Sequence, residues 1–518
     1  MSGLLVRDAM ILTLDPRRGT TPFQGDVLVE GTRIAAVGVG LEAGPGVEVI
    51  DGRGKLLMPG LVNAHTHSSE TFFRGRYEKM PLEVWLLYAY PLLMGPVIDG
   101  ELLHMRSLLL ATESLKAGVT AMTDCFFDPP AHDLDRLGIV FSAYELAGIR
   151  ATVSSDVINI PTLEALPFAG DVFPPDIRQL IDFGPMIGAP AYLDFCRAAI
   201  AAFHGRAGRL NFQIAPSAPQ RCTPDLLTGC FDLARTHGLP FHCHVLETVT
   251  QAVTGRELYG GSLVRYMGDL GVLGRNTTIA HSVWVDDADM ALMGRAGVSV
   301  VHNAVSNLKL GAGVAPVRRL IEAGVTLALG TDGVSSNDTA SIFDVMRVAG
   351  LLHGASGPDA GTWLSAAELL RAATLGGARS AMLDDVCGSL EPGKAADMIL
   401  IDLDDCAFLP LNDVARHLVY AANGSNVRTA IVAGEVVMRD RRMTRFDEDA
   451  LFAEIRDRVP AYLEAHGLVE QRNALLEPYF AEIHRRSAAS HSGVYRYAGD
   501  AALRHRNWSF GEPAAGRS

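Results

Sequence analysis

Short apolar runs alternate with longer segments of helical periodicity through the middle of this chain. Eight such runs can be counted, at 57–64, 119–124, 150–153, 210–215, 240–244, 278–281, 298–302 and 325–332. This alternation is typical of repeated βα units, and eight units favour an α/β fold closed as a (β/α)8 TIM barrel. Such barrels carry their chemistry at the carboxyl ends of the strands, so polar residues there are the first site candidates.

The two ends of the chain have a different pattern. Residues 1–57 contain short alternating strands broken by Gly and Pro, and residues 388–444 contain further strands with turns. We therefore predict that a barrel at 58–387 is inserted in a small composite β-sandwich domain built from both ends. Residues 445–518 are predicted to be a C-terminal helical extension followed by a polar tail. That tail could be an oligomer arm, a lid or partly disordered.

Charge and cysteine content narrow the class of partner. The net charge of −14 comes with no long block of like charges, so nucleic acid and anionic membranes are not expected partners, and a small-molecule substrate is. No window approaches 18 uncharged apolar residues. The seven cysteines are scattered and never spaced as Cys-x-x-Cys, which favours reduced thiols and a cytoplasmic location.

Four polar islands fall at the predicted strand ends. His65 and His67 are two residues apart on the first strand, and side chains two apart in a strand share a face. His244, His281 and Asp332 follow later strands. Three imidazoles and a carboxylate can hold one divalent metal ion and leave a position open for water. The pattern therefore predicts a metallohydrolase.

Five ordered motifs carry a family resemblance. They are Pro-Gly-Leu-Val-Asn-Ala-His-Thr-His at 59–67, His-Val-Leu-Glu-Thr at 244–248, Ala-His at 280–281, His-Asn-Ala-Val-Ser-Asn-Leu-Lys-Leu at 302–310 and Gly-Thr-Asp-Gly at 330–333. The chain resembles the amidohydrolase superfamily, in the aminohydrolase branch that includes cytosine, guanine and S-adenosylhomocysteine deaminases and the s-triazine hydrolases. The resemblance also implies a homodimer or higher homo-oligomer.

The resemblance assigns roles to six residues. It implies that the metal ligands are His65, His67, His244 and Asp332, and that Glu247 and His281 lie beside the bound water and substrate. Asp332 would then accept a proton from the water, and Glu247 would deliver one to the leaving nitrogen. His281 would orient the hydroxide and stabilise the negative charge that develops during attack.

The number of metal ions can be argued from a missing residue type. Many members of this superfamily bridge two ions with a carboxylated lysine, yet no lysine occurs between Lys116 and Lys309. We therefore expect one divalent ion, Zn²⁺ by default, with Fe²⁺ or Mn²⁺ also compatible with His and Asp ligands.

Five further residues are candidate substrate contacts. Arg74 and Trp85 follow the first motif, although Trp85 is equally explained as a core anchor. Ser217 and Gln220 follow the fourth strand, and His302 either touches substrate or only hydrogen-bonds within the site. By contrast, His242 is interpreted as a packed core residue, although regular strand alternation would place it on the face of His244.

The predicted substrate is a small nitrogen heterocycle rather than a nucleoside. Adenosine-type deaminases of this branch carry Gly-Pro-His-Ser-Pro where this chain has Ala-Pro-Ser-Ala-Pro at 215–219, and an acid for the ribose hydroxyls is missing after Trp85. The leading hypothesis is a mononuclear aminohydrolase that releases ammonia or an amine. Hydrolysis of an exocyclic amide, urea, carbamate or carbon-halogen bond is the alternative. A non-catalytic scaffold is a third reading, which the complete ligand set disfavours.

Overall fold

The computed structural model describes residues 3–93, 95, 98–128, 132–182, 184, 186–355, 358–490 and 492–497. Of the polar tail predicted from the sequence, residues 491 and 498–518 lie outside this described part. Among the described residues, no helix combines the length and apolar character needed to cross a membrane.

The strands follow one another as β1 Gly3–Ile11, β2 Phe23–Glu30, β3 Arg33–Gly38, β4 Val47–Asp51, β5 Lys55–Pro59, β6 Leu61–Thr66, β7 Val119–Asp124, β8 Arg150–Val153, β9 Leu210–Phe212, β10 Phe241–Val245, β11 Thr277–His281, β12 Ser299–His302, β13 Thr326–Leu329, β14 Met398–Asp402, β15 Val427–Val432, β16 Glu435–Arg439 and β17 Arg442–Met443.

The helices are α1 Leu82–Ala89, α2 Gly100–Lys116, α3 Leu134–Ala147, α4 Ala169–Val172, α5 Pro175–Leu180, α6 Ala189–Phe203, α7 Pro224–His237, α8 Val249–Tyr259, α9 Leu263–Asp269, α10 Asp287–Ala296, α11 Ala304–Lys309, α12 Val317–Glu322, α13 Val334–Asn337, α14 Ile342–Leu352, α15 Ala366–Arg371, α16 Gly377–Ser380, α17 Val414–Tyr420, α18 Glu448–Asn473 and α19 Glu477–Ala489.

Strands β6 to β13 form the parallel framework of the molecule. They lie in two four-stranded sheets, β6-β7-β8-β9 and β10-β11-β12-β13, with every neighbouring pair parallel. A parallel bridge between Ile214 and Phe241 links the first sheet to the second. At the other side, the Asp332 N–H donates to the His65 carbonyl at 2.9 Å. The carboxyl ends of all eight strands therefore face one end of the molecule.

A third sheet, of nine strands, joins the two ends of the chain. Its strand order is β17-β16-β15-β14-β5-β1-β2-β3, and β4 pairs in parallel with β1. The junction between the chain ends is antiparallel, with Met398 of β14 opposite Pro59 of β5. Since β6 begins two residues after β5 ends, and β14 follows β13, the parallel framework is inserted in sequence between the two halves of this sheet. A division of this sheet into two sandwich layers remains a prediction.

A buried ion pair connects the parallel sheet that contains β8 with the nine-stranded sheet that contains β14. The Arg150 guanidinium at the start of β8 donates to the two carboxylate oxygens of Asp397 at 2.6 and 3.1 Å, and both side chains are buried. Asp397 also accepts the backbone N–H of Ala433 at 2.7 Å. The carboxylate is thus satisfied on both sides, as burial of a charge requires.

The C-terminal helices pack beside the strand ends rather than standing apart. Helix α18 contacts α1 and α2, and α19 contacts α1, α4 and α8. We name α1, residues 162–180 and α19 together the outer wall. Its apolar cluster is formed by Val84, Leu87, Ala169, Phe173, Leu476, Phe480 and Ile483. Beyond α19 the chain turns back, and the Arg496 guanidinium donates to the Val283 carbonyl at 2.9 Å.

Candidate metal centre and substrate cavity

Four of the sequence-predicted side chains meet where β6, β10 and β13 end. The Asp332 Oδ1 atom lies 3.5 Å from His65 Nε2 and 3.3 Å from His67 Nε2. The Nε2 atoms of His67 and His244 are 3.4 Å apart. Tetrahedral ligands at about 2.1 Å from a zinc ion are separated by about 3.4 Å, so these spacings suit one such ion.

Backbone carbonyls orient two of these imidazoles. His67 Nδ1 lies 2.7 Å from the Cys125 carbonyl, and His244 Nδ1 lies 2.8 Å from the Ser217 carbonyl. Because a carbonyl oxygen only accepts, each Nδ1 carries a proton, and each Nε2 is the ring atom that faces the centre and can bind a metal ion there. Partners of this kind fix the tautomer and ring orientation of metal-binding histidines.

The third imidazole is oriented by another histidine. His65 Nδ1 lies 3.0 Å from His242 Nε2, and the planes of the two rings are nearly parallel, at 7° to each other. His242 therefore supports His65 directly instead of packing in the core as we had interpreted it. The signal was present in the sequence, since His242 and His244 are two residues apart on one strand.

The electrostatics of the cluster suit a cation. Burial lowers the pKa of His65 to about 4 and that of His244 well below its ordinary value, so both rings are neutral donors near pH 7. For His67 burial acts in the same direction, but the Asp332 carboxylate outweighs it and raises the pKa to about 10. The negative potential that favours a protonated imidazole at this position also favours a metal ion. In addition, the buried His65 Nε2 has no hydrogen-bond partner among the described residues, as expected of an atom that binds a metal ion.

Asp332 is held in place from both sides. Its Oδ2 accepts the Ser306 hydroxyl at 2.6 Å, and its Oδ1 accepts the Gly333 N–H at 2.8 Å. The residue adopts φ = 63°, in the left-handed region that Asp tolerates better than most residues. This turn directs the carboxylate back over His65 and His67.

Glu247 and His281 lie side by side next to the ligand cluster. Their nearest atoms, Glu247 Oε1 and His281 Nδ1, are 3.7 Å apart, and both side chains are buried. Burial raises the pKa of Glu247 to about 7, although the neighbouring His281 opposes the shift. His281 Nδ1 lies 2.9 Å from Asn307 Oδ1, which only accepts, so the proton sits on Nδ1 and Nε2 is free to accept.

A cavity opens from the metal centre toward the outer wall. Three predicted substrate contacts, Trp85, Ser217 and Gln220, line it. Two others do not. Arg74 forms an ion pair with Glu113 outside the cavity, and His302 is buried beside His353, with the two ring centroids 5.4 Å apart.

Among the cavity-lining residues that the sequence-based prediction missed are four charged residues and one aromatic residue: Glu70, Glu83, Asp156, Arg221 and Phe480. Glu70 stands closest to the centre, because its ligand oxygen lies within 4.8 Å of those of His67 and Asp332. Its only signal was a spacing of three residues from His67. An ideal Cβ at Gly333 would meet Glu70 Oε2 at 1.8 Å, so glycine is required there.

Glu83 and Arg221 carry the remaining charges of interest. Glu83 accepts the Thr248 hydroxyl at 2.7 Å, and its other oxygen lies 3.0 Å from His484 Nδ1 of α19. Arg221 lines the cavity within electrostatic range of Glu247 and Glu83 but forms no ion pair among the described residues.

Two proteins similar to this chain over most of its length are deaminases. The chain is 34% identical over 456 residues to a 5'-deoxyadenosine deaminase of Methanosarcina mazei, covering 88% of this chain and 97% of that protein. It is 35% identical over 463 residues to a 5-methylthioadenosine/S-adenosylhomocysteine deaminase of Nitratidesulfovibrio vulgaris, covering 87% of this chain and 95% of the relative.

Two solved structures similar to this chain are of zinc-binding hydrolases. An adenosine deaminase from Xanthomonas campestris with bound zinc matches with a TM-score of 0.78 and 29% identity, covering 89% of this chain and 98% of that one. Atrazine chlorohydrolase TrzN from Arthrobacter aurescens TC1, complexed with zinc, matches with a TM-score of 0.77 and 25% identity, covering 87% and 98%. The fold is therefore the α/β fold of these zinc-binding hydrolases.

These relatives correct one prediction. The expectation that the substrate is not a nucleoside is wrong, because the curated relatives at this identity are nucleoside deaminases. No acid follows Trp85 as the sequence comparison required, but Glu83, two residues before it, brings a buried carboxylate to the cavity. The predicted hydrolase acting on carbon–nitrogen bonds is confirmed. The model of the amidohydrolase family matches residues 56–437, and the chain belongs to that family.

Proposed function

We propose that this protein is a mononuclear, zinc-dependent deaminase that hydrolyses the amino group of an adenine-type nucleoside. The observation that carries the proposal is the position of Glu247, a buried carboxyl group with its pKa raised to about 7, beside His281 and the four-ligand cluster. A group that is protonated near neutral pH and adjoins the nucleophile can protonate a ring nitrogen. The deaminase relatives support the same reaction type.

The proposed ligands of the ion are His65, His67, His244 and Asp332. The ion, when bound, supplies an acidified water and hence a nucleophile near pH 7. Asp332 accepts the proton of that water on its carboxylate. Glu247 gives its proton to the ring nitrogen beside the attacked carbon, which draws electrons away from that carbon.

His281 and Asn307 complete the proton arrangement. Because Nδ1 of His281 donates to Asn307 Oδ1, its Nε2 accepts a hydrogen bond from the attacking water and fixes the lone pair that reacts. Asp332 passes the proton that it took from the water to the amino group, which leaves as ammonia, and the hydroxyl group of the adduct returns a proton to Glu247 as the product carbonyl forms. Trp85, Ser217 and Gln220 are proposed to contact the substrate. Arg74 and His302 do not line the cavity and have no proposed contact with the substrate.

A single ion is favoured by the missing lysine. Residues 117–308 contain none, so the bridge of dinuclear relatives has no source in the middle strands. We also propose the closed (β/α)8 barrel at 58–387, the composite β-sandwich of 1–57 with 388–444, and the extension from 445. A homo-oligomer in the cytoplasm is proposed as well, and the free cysteines among the described residues are consistent with a reducing compartment.

The test is an ammonia-release assay on purified holoenzyme with adenosine, 5'-deoxyadenosine and 5'-methylthioadenosine, alongside elemental analysis for zinc. We expect one equivalent of metal and conversion of at least one nucleoside to its inosine counterpart. Glu247→Gln serves as the active-site control and Glu257→Gln, an exposed change on α8, as the matched surface control. Full activity of Glu247→Gln would contradict the assigned proton donor.

Structural similarity to a chlorohydrolase supplies the second candidate. The same ligand cluster and proton donor could displace chloride from a triazine ring. Chloride or amine release from triazines, with no turnover of any nucleoside, would replace the proposed reaction by this one. Two equivalents of metal would reject the mononuclear centre without deciding the substrate.

A further inference from the structure

Helix α19 contributes directly to the substrate cavity. Phe480, one of its residues, lines the same cavity as the metal ligands His67, His244 and Asp332. The match to the amidohydrolase family ends at residue 437, well before α19 begins at Glu477. The helix therefore adds an active-site surface that the family match does not include.

The surface around Phe480 is apolar. Leu87 of α1, together with Leu92 and Leu166, lines the cavity and packs in the same apolar cluster as Phe480. Phe173 fixes the Phe480 ring from behind by an edge-to-face contact, with centroids 5.3 Å apart. A side chain clamped in this way presents a constant shape to whatever fills the cavity.

A partly buried ion pair anchors α19 at this place. His484, one turn beyond Phe480, lies 3.0 Å from the Glu83 carboxylate, and Glu83 in turn accepts the Thr248 hydroxyl next to Glu247. His484 thus neutralises an acid that would otherwise face the cavity as a free anion. Two further contacts hold the neighbouring α18, where Glu470 accepts from Arg76 and from Tyr77 at 2.6 and 2.8 Å.

We propose that Phe480, Leu87, Leu92 and Leu166 form a subsite for an uncharged, apolar substituent of the substrate, and that the C-terminal extension thereby determines specificity. This inference rests on the proposed function. In an adenine nucleoside whose ring reacts at the metal centre, the substituent at the 5' carbon is the group that can extend away from the reacting ring. Alkyl and alkylthio groups fit such a surface, whereas a hydroxyl would lose its hydrogen bonds there.

The test compares nucleosides that differ only in the length of the 5' group. For each enzyme, kcat/KM is measured with 5'-deoxyadenosine, 5'-methylthioadenosine and 5'-butylthioadenosine, and with adenosine as the hydroxyl-bearing member. The variants are Phe480→Ala, Phe480→Trp and Phe480→Leu. Tyr479→Ala is the matched control, because this neighbouring aromatic residue stacks on Phe173 but does not line the cavity.

We expect the wild type to prefer the methylthio compound to adenosine by about tenfold or more, as an apolar pocket does when a polar group replaces an alkyl one. Phe480→Ala should shift the preference toward the butylthio compound by about tenfold, and Phe480→Trp should shift it away by a similar factor. Turnover of 5'-deoxyadenosine should change least. Tyr479→Ala should leave the ratios as in the wild type.

Several outcomes would overturn the inference. Ratios that stay within about twofold of wild type in folded, zinc-loaded Phe480 variants would reject the subsite while leaving the deaminase intact. A wild-type preference for adenosine would assign the Phe480 end of the cavity to hydroxyl recognition. The Thr250 hydroxyl on α8, which has no hydrogen-bond partner in the described part of the chain, is available for it. If Phe480→Ala does not fold, the Trp and Leu variants decide.

The proposed function can fail separately. If the wild type turns over N-alkyl triazines and no nucleoside, the nucleoside assignment is wrong. The same ratio test, with ethylamino against tert-butylamino triazines, then decides the subsite. If neither series is turned over, both proposals are rejected.

Discussion

The metal centre and the outer wall are built in different ways, although they face the same cavity. At the centre, His67 and His244 are fixed by backbone carbonyls of segments that follow β7 and β9, at 2.7 and 2.8 Å. At the wall, position depends on side chains, and the partners Glu83 and His484 are 401 residues apart in sequence.

This difference separates chemistry from selectivity. Strand register fixes the ligands to within a few tenths of an ångström, which a reacting centre requires. Helices held by a few side-chain pairs can be repacked at lower cost, so the wall is where specificity can change while the reaction is kept. Four predictions test this contrast, beginning with the largest expected effect.

Asp332→Ala should abolish the centre without disturbing the wall. The change removes a metal ligand and the proposed proton acceptor, so kcat/KM should fall by about 10³-fold or more, equivalent to about 4 kcal/mol. Zinc content by elemental analysis should fall with it. Asp344→Ala, a partly exposed acid on α14, is the control. Retained zinc together with retained turnover would show that Asp332 is not part of the centre.

Glu247→Gln should separate proton delivery from metal binding. The amide keeps the size of the side chain but cannot donate a proton to the ring, so kcat should fall by about 10²- to 10⁴-fold. The zinc content and the far-ultraviolet circular dichroism should match those of Glu257→Gln. Loss of metal in Glu247→Gln would mean that this carboxylate is a ligand rather than a donor.

The contrast also explains what the sequence could predict. His65 and His67 share a face because strand side chains alternate, and the motif order places His244, His281 and Asp332 at later strand ends. The eight apolar runs correspond to β6–β13, because strands covered on both faces are continuously apolar. The same alternation rule would have included His242, had it not been set aside for a core interpretation.

Glu70, Glu83 and Phe480 could not be predicted from any periodic pattern in the sequence. Glu70 lies in the short 3-10 segment Ser68–Phe73, where no strand or helix period applies. For α19, helical spacing predicted an apolar face but could not name its partner, because the contacts with α1 and α8 are nonlocal. Phe480 and Glu83 therefore became visible only in the folded chain. The wrong exclusion of nucleosides arose from treating local motif differences as if they described the whole cavity.

His484→Ala should loosen the wall and leave the metal centre loaded. It removes the positive partner of the buried Glu83 carboxylate, which keeps its bond from the Thr248 hydroxyl, so we expect the free energy of unfolding to fall by about 2 kcal/mol. Hydrogen exchange should speed up in α19 more than in β6 or β10. Arg485→Ala, which removes an exposed pair with Glu482, should cost less than about 0.5 kcal/mol. Equal effects of the two changes would show that the Glu83–His484 pair does not anchor α19.

The smallest effect is a pH dependence confined to the wall. Burial alone would raise the pKa of Glu83, but His484 and Thr248 outweigh it and lower the pKa from 4.5 to about 2. This contribution to stability is therefore present above pH 4.5 and is lost as the pH falls toward 2. For His484, burial acts to lower the pKa, but Glu83 raises it above 6.5. That contribution is complete below pH 6.5 and is lost as the pH rises through the raised value.

The two contributions overlap between pH 4.5 and 6.5, where the pair stabilises α19 most. The difference in unfolding free energy between wild type and His484→Ala should be largest in that window and should shrink as the pH is raised above 6.5. Chemical denaturation at each pH, with saturating zinc, measures this difference. A difference that stays constant to pH 9 would assign the effect of His484 to packing. The wall would then be held, like the centre, by contacts that do not titrate.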